Sequence, residues 1–286
     1  MKPTIKFLAI PIILGMAITN PLIAQVSGDT YQSAKSSKSA NLTYVYAGVN
    51  GFANKGADGN LSGLFIELMS EFESFVSTKY GITINSTYVP VKDGDFQQFL
   101  NDVKNGSGGV FGLNTTTIKE ERKEFLKFSP AILNNISVLI THKSVPTLSS
   151  MGSIGSDFKG LAAYTASGST YEKRLTDLKS SNFPDLNIKV VASEYDIIDS
   201  IIGDPRSFGF IDISFYLEYL TQRKEVKRHP AGDLGGEQYG IIMPLDSDWD
   251  PIMAEFLNSG FLKSTTYRQI VINNLGKGAL RMLESN

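Results

Sequence analysis

Residues 95–122 read DFQQFLNDVKNGSGGVFGLNTTTIKEER, and the order of patterns in that stretch decides the fold. DFQQFLNDVKNG carries a helical pattern closed by Asn105-Gly106, and GVFGL is a short apolar run of strand type. The chain then passes three hydroxyl residues, Thr115 to Thr117, into a charged run that reads as the start of another helix. Helix, strand and new helix in quick succession mark an α/β unit.

The same alternation extends in both directions. Upstream, LTYVYAGV and ITINSTYV read as strands flanking SGLFIELMSEFESFVSTKYG, whose apolar residues at 64, 65, 68, 69, 72, 75 and 76, with Gly81 as a stop, predict an amphipathic helix. Downstream, the strands ISVLIT, LAAYTA, NIKVVAS and SFGFID alternate with the helices STYEKRLTDLKSS, EYDIIDSII and SFYLEYLTQRK. A strand-like QYGIIM and two helical stretches, DPIMAEFLNSG and STTYRQIVINNLG, close the chain. Two α/β series with a tail predict two lobes: 41–137 with 238–286, and 138–237. Crossover strands are expected near 134–142 and 231–241.

The 286 residues suffice for a sizeable core. Acidic and basic residues nearly cancel, and the basic ones are scattered, which argues against a nucleic-acid partner. The first residues carry Lys2 and Lys6, then an apolar run from Phe7 to Ile18 that is shorter than the ~20 residues of a membrane span, and a small Ala24 suited to cleavage. Residues 1–24 read as a secretory signal peptide, and the polar, low-complexity residues 25–40 as a disordered spacer. The chain has no cysteine, which excludes disulfides, thiolate metal sites, cysteine catalysis and a lipid-modified cysteine. The expected location is periplasmic, in soluble form.

Thr117 and Glu120 have the spacing of a capping box, in which hydroxyl and carboxylate satisfy backbone donors at a helix start. Arg122 does not fit that role, because a cation in the first turns opposes the positive end of the helix dipole. Five residues span about 7.5 Å of helix and side chains tilt toward its N-terminus, so the guanidinium can fold back and hold a carboxylate together with Thr117 and free N–H groups. In the second series Ser169 and Glu172 repeat the spacing after Gly168, with Thr170 beside them. Asp212 ends an apolar strand where a helix begins. It serves either as an N-cap, with Ser214 as a competitor, or as an acid in the crevice at the strand's C-terminal edge, where an ammonium group would bind.

These pieces resemble a known family. DGNLSGLFIEL, TTTIKEERKEFLKFSPAI, FKGLAAYTASGSTYEKRL, FIDISFYLEYL and EQYGIIMPLDSDWDPIMAEFLNSG run in the order found in the bacterial extracellular solute-binding proteins of family 3, the type II periplasmic binding proteins of polar amino-acid ABC transporters. The likeness extends from about Asn41 to the C-terminus. It implies a bilobed α/β fold, two lobes joined by two crossover strands with the ligand cleft between them. It also implies a carboxylate-binding Arg122, partnered by Thr117 and Thr115, a second-lobe clamp at Ser169 and Thr170, and an amine-binding Asp212. Val49 falls near the family's stacking aromatic and Phe52 is retained from its neighbourhood, so Phe52 joins the expected ligand contacts.

The function implied is capture of a small carboxylate-bearing ligand, an amino acid or related zwitterion, for an ABC importer. The protein would be a monomer that meets an inner-membrane permease, with no enzymatic activity, cofactor or metal. His142 and His229 lack companion ligands and are expected at surface or hinge positions. Glu67 is expected on a helix face and Trp249 in packing beside a turn. The rival functions are a periplasmic dehydratase of the cyclohexadienyl or arogenate type on the same fold, and a soluble sensor subunit.

Overall fold

The computed structural model describes residues 25–222 and 225–280, so the signal peptide expected over 1–24 lies outside the described residues. Apolar alternation and helical periodicity build two five-stranded sheets. The first contains β1 (Ser39–Tyr46), β4 (Thr83–Pro90), β5 (Val110–Leu113), β6 (Lys127–Phe128) and β12 (Ile242–Met243), in the order β4-β1-β5-β12-β6. Strand β1 runs parallel to both β4 and β5, while β12 is antiparallel to β5 and β6. A small hairpin of β2 (Asn54–Lys55) and β3 (Leu61–Ser62) follows β1.

The second sheet contains β7 (Leu133–His142), β8 (Ala162–Ala166), β9 (Asn187–Val191), β10 (Ser207–Asp212) and β11 (Val226–Tyr239), in the order β11-β7-β10-β8-β9. Strands β8, β9 and β10 are parallel, as helical crossovers require, and β7 is antiparallel to β10 and β11. The chain leaves the first sheet along β7 and returns along β11, which pair from His142↔Val226 to Leu133↔Tyr239. At the first-lobe end, Tyr239 also bridges Thr117, and Ile118 N–H donates to Gln238 O at 2.8 Å. The returning strand is thereby tied to the segment that leads into Arg122.

Helix α2 (Leu64–Tyr80) buries Leu64, Phe65, Leu68, Met69, Phe72 and Val76 along one stripe, the face its periodicity predicts. It ends at Gly81, whose φ of 63° is the left-handed conformation that glycine tolerates. The C-terminal helices α9 (Asp250–Asn258) and α10 (Thr265–Leu275) pack on it: Phe256 lies 5.7 Å from Phe72 and 5.5 Å from Phe75, and Asn274 Nδ2 donates to Glu67 at 2.7 Å. Trp249 is fully buried beside this helix pair and donates through Nε1 to Asp29 O at 2.8 Å.

Residues 25–40 depart from the spacer reading. They include helix α1 (Tyr31–Ser37), capped by Thr30, whose hydroxyl accepts from Ser33 N–H at 3.1 Å. Its first N–H groups, from Tyr31 and Gln32, donate to Asp248 at 2.6 and 2.9 Å; Ala34 is fully buried, and the Tyr31 ring meets Trp249 at 5.2 Å. The apolar residues are few but sit one helical turn apart, and the partners that anchor them lie at the other end of the chain. Strand β1 accordingly begins at Ser39, where pairing with Thr83 extends it ahead of the apolar run.

Candidate functional site

Both sheets point strand C-termini toward one cleft of about 540 Å³, counting the part open to solvent. Arg122 enters it from the first lobe on α4 (Glu120–Lys123), a single turn. The Thr117–Glu120 capping box does not form: the N-cap is Lys119, and Glu120 pairs with Lys123 at 2.7 Å. The cause is the bond from Ile118 N–H to Gln238 O, which holds residues 117 and 118 extended and delays the helix. Thr117 and Thr115 are left lining the cleft.

Arg122 is buried, and its guanidinium spans both lobes. Nη1 donates to Thr117 O at 2.9 Å and Nη2 to Gly168 O at 2.8 Å, while the ring of Phe96, at the start of α3 (Phe96–Lys104), lies 5.4 Å away. Burial lowers the Arg122 pKa to about 10, against the opposing pull of Glu237 and Asp212, so the group stays cationic at neutral pH.

The second lobe presents the start of α6 (Thr170–Ser181). Ser169 is its N-cap, as its spacing predicts: Oγ accepts from Glu172 N–H at 3.3 Å. Glu172 reaches one residue further back, accepting from Gly168 N–H at 2.8 Å. Ser169 and Thr170 both line the cleft, where a helix N-terminus favours an anion.

Asp212 ends β10 within the same cleft. Its Oδ1 accepts from Asn135 Nδ2 at 2.6 Å and from the Tyr171 hydroxyl. Burial raises its pKa to about 6, with Glu237 adding to the rise and the hydrogen bonds of Tyr171 and Asn135 opposing it. Helix α8 (Ile213–Gln222) follows directly, and Ser214 lies inside it with its hydroxyl buried and unpartnered.

Glu194 is the acid that sequence reading missed. It opens α7 (Glu194–Gly203), whose capping box is formed by Ser193 and Asp196, and its Oε2 accepts from Asp212 N–H at 3.1 Å. Burial, and then the charge of Asp212, hold its pKa well above the usual carboxylate range. The signal was local: a serine-capped helix start at the C-terminal end of β9 has the same strand-to-helix placement as Ser169 after β8.

Phe52 does not reach the cleft. It is fully buried, 5.7 Å from Phe65 and 6.3 Å from Tyr239. Its carbonyl accepts from Phe65 N–H, and Gly63, with a φ of 128°, lets the chain pass where a Cβ would sit 2.3 Å from that oxygen. Val49 does line the cleft, and its aromatic wall comes instead from Phe96, Tyr195 and Phe215, the last two edge-to-face at 4.9 Å.

His229, expected at a surface or hinge, is fully buried on β11. Leu148 N–H donates to Nδ1 at 2.9 Å, which places the ring proton on Nε2, 2.7 Å from Thr141 Oγ1. Burial lowers its pKa to about 4. Its apolar neighbour Phe158 and two local partners make an interior position stable for a neutral imidazole. Among the described residues, no group of three or more His, Cys, Asp or Glu is arranged to hold a metal ion, and no helix is long and apolar enough to cross a membrane.

Comparison with known proteins gives no matching family model and no match among curated proteins. Solved structures do match. An ABC uptake transporter substrate-binding protein from Streptococcus pneumoniae with bound histidine aligns at a TM-score of 0.68 and 19% identity, over 88% of this chain and 98% of that one. An ancestral arginine-binding protein bound to arginine aligns at 0.67 and 21%, over 82% and 98%. An ancestral amino acid-binding protein, a precursor of cyclohexadienyl dehydratase, aligns at 0.63 and 16%, over 82% and 95%. The chain therefore has the two-lobed α/β fold of the type II periplasmic binding proteins.

Proposed function

We propose that this chain is a solute-binding protein of the family 3 kind, which captures an amino acid or related zwitterion for an ABC-type importer. The observation that carries this reading is the convergence, in one interlobe cleft, of a buried cation with the start of α6 and a buried acid from the opposite lobe. Arg122, Thr115, Thr117, Ser169 and Thr170 would hold the ligand carboxylate, and Asp212 its ammonium. Each lobe supplies only part of the set, so ligand favours the closed arrangement over the open one. The neighbours with bound histidine and bound arginine support the class of ligand.

The protein would be exported by residues 1–24, act as a periplasmic monomer and deliver its ligand to an inner-membrane permease. The apolar run that follows Lys2 and Lys6, with Ala24 as a cleavage position, supports export. A thermal-shift screen of residues 25–286 against amino acids and small carboxylates tests the reading, since a ligand bound to the native state raises the melting temperature. Stabilisation by no zwitterion in that screen would refute it.

One observation favours the dehydratase as a second reading. Glu194 supplies the cleft with a carboxyl whose proton is held well above the ordinary range, which suits a general acid assisting loss of water. Turnover of prephenate or arogenate by the purified protein decides for that enzyme.

A further inference from the structure

We propose that Asn135 is a positioning residue that stands between the carboxyls of Asp212 and Glu237 and presents Asp212 to the cleft as an anion. This deepens the amino-acid reading and rests on it for the ammonium that Asp212 would meet. Asn135 is fully buried on β7, opposite Glu237 on β11, so it sits where the two crossover strands pair. The register of β11 slips between Gly235 and Glu237, and the extra residue, Gly236, has a φ of 89°. Asn135 Nδ2 donates to Asp212 Oδ1 at 2.6 Å and to Glu237 Oε2 at 3.2 Å, with the Tyr171 hydroxyl 3.4 Å away. An amide nitrogen carries two hydrogens, one for each carboxyl.

The amide serves through its donors alone. Its Oδ1 is buried with no hydrogen-bond partner among the described residues, so the oxygen contributes nothing to offset its own burial. Two neighbouring carboxylates compete for a proton, and a donor shared between them relieves that competition. Glu237 also faces Lys119, 3.8 Å away at the start of α4, the turn that carries Arg122. The other titratable groups around Asp212 are Tyr171 from α6, Glu194 from α7, Tyr239 from β11 and Arg122 from α4. Because Glu194 retains its proton, Glu237 is the charged neighbour from which Asp212 must be separated.

The test follows the Asp212 carboxyl directly, by NMR of ligand-free residues 25–286 labelled at the aspartate carboxyl carbons, with its signal assigned by loss in Asp212→Asn. Its titration midpoint, about 6 in the wild type, should rise by ~1 to 2 pH units in Asn135→Ala, as expected for loss of a hydrogen bond to a charged group. Asn135→Ser, which keeps one donor, should show a smaller rise. Adding Glu237→Gln to Asn135→Ala should bring the midpoint back down, which a purely structural role for Asn135 does not produce. Should Asn135→Ala fail to fold, Asn135→Ser with and without Glu237→Gln gives the same comparison. The proposal is overturned if loss of the Asn135 amide leaves the midpoint unchanged, or if Glu237→Gln leaves a raised midpoint where it is. Calorimetry with the standard amino acids separates this from the reading of the cleft: the tightest of them should bind Asn135→Ala ~2- to 10-fold more weakly at pH 7 and lose less at pH 8.5. A wild type that binds none of them removes the amino-acid reading, while the shifted titration still assigns Asn135 to Asp212.

Discussion

Arg122 Nη2 donates to the carbonyl of Gly168 across the cleft at 2.8 Å, so a cation of one lobe is held at the threshold of the other lobe's helix α6. The same guanidinium is fixed on its own lobe by Thr117 O at 2.9 Å. A ligand carboxylate arriving between Arg122 and Ser169 meets donors from both lobes at once.

Arg122→Ala should lose ligand affinity by at least ~100-fold, because hydrogen bonds to a charged group contribute about 1.5–3 kcal/mol each. Arg122→Lys should lose nearly as much, since an ammonium cannot reproduce the planar fork. Circular dichroism should show both variants folded. Full binding by either one in calorimetry excludes Arg122 as the carboxylate partner.

Asp212→Asn should weaken binding ~10- to 100-fold by removing the charge opposite the ammonium. Its melting temperature at pH 7 should hold or rise, because the new amide oxygen can still accept from Tyr171 and Asn135 while the buried charge is gone. A variant that binds normally would assign the ammonium to another group.

Stability and affinity should respond to pH in opposite directions. The Asp212 pKa is raised from 3.8 to about 6 in the folded state. Its contribution to stability is thus full below 3.8 and lost as pH rises through about 6. Glu194 and Glu237 on one side, and Arg122, Tyr171 and Tyr239 on the other, surround that carboxyl and set the window. Ligand ammonium needs the ionised acid, so the ligand-induced shift in melting temperature should grow over the same window. Identical pH profiles for wild type and Asp212→Asn would discard this assignment.

The lobes also meet directly. Asn50 Nδ2 donates to Glu218 at 2.6 Å, Asn50 N–H donates to the Tyr195 hydroxyl at 3.1 Å, and Phe96 N–H donates to Ala192 O at 3.2 Å. Asn50→Ala should shift the ligand-free protein toward an open form, seen as a larger radius of gyration in X-ray scattering. Affinity should fall ~3- to 10-fold in proportion to the closed fraction lost. An unchanged radius and affinity would show that Asn50 does not hold the lobes together.

Removal of residues 25–38 should destabilise the first lobe by about 2 kcal/mol, the scale of burying one large side chain. Tyr31 and Ala34 leave the core, and Asp248 loses two N–H donors. Urea unfolding of the truncated protein measures the effect. Equal midpoints would restore the reading of this segment as a spacer.

Much of the architecture was legible because its causes are short-ranged. Helix α2 is encoded by a stripe within seventeen residues and a glycine stop, and the Ser169 cap by a hydroxyl three residues ahead of the N–H it accepts. Arg122 could be singled out because it contradicted the local logic of its own helix. Thr117 misled for the complementary reason: its spacing to Glu120 is that of a cap, yet a strand returning from residue 238 claimed the backbone first. Phe52 looked like a ligand contact by position, and a turn permitted by Gly63 sent it into the core.

The sequence by itself determined an α/β chain in two series, the helix starts that face the cleft, and the arginine, hydroxyls and acid expected there. Periodicity and capping act over one or two turns, so they are written in neighbouring residues. Only the tertiary structure decided that Glu194 meets Asp212, that Arg122 bonds to the opposite lobe, and that Tyr31 is anchored by Asp248, 217 residues away. Those relationships depend on which sheet edges face one another, and that is set by packing summed over the whole chain.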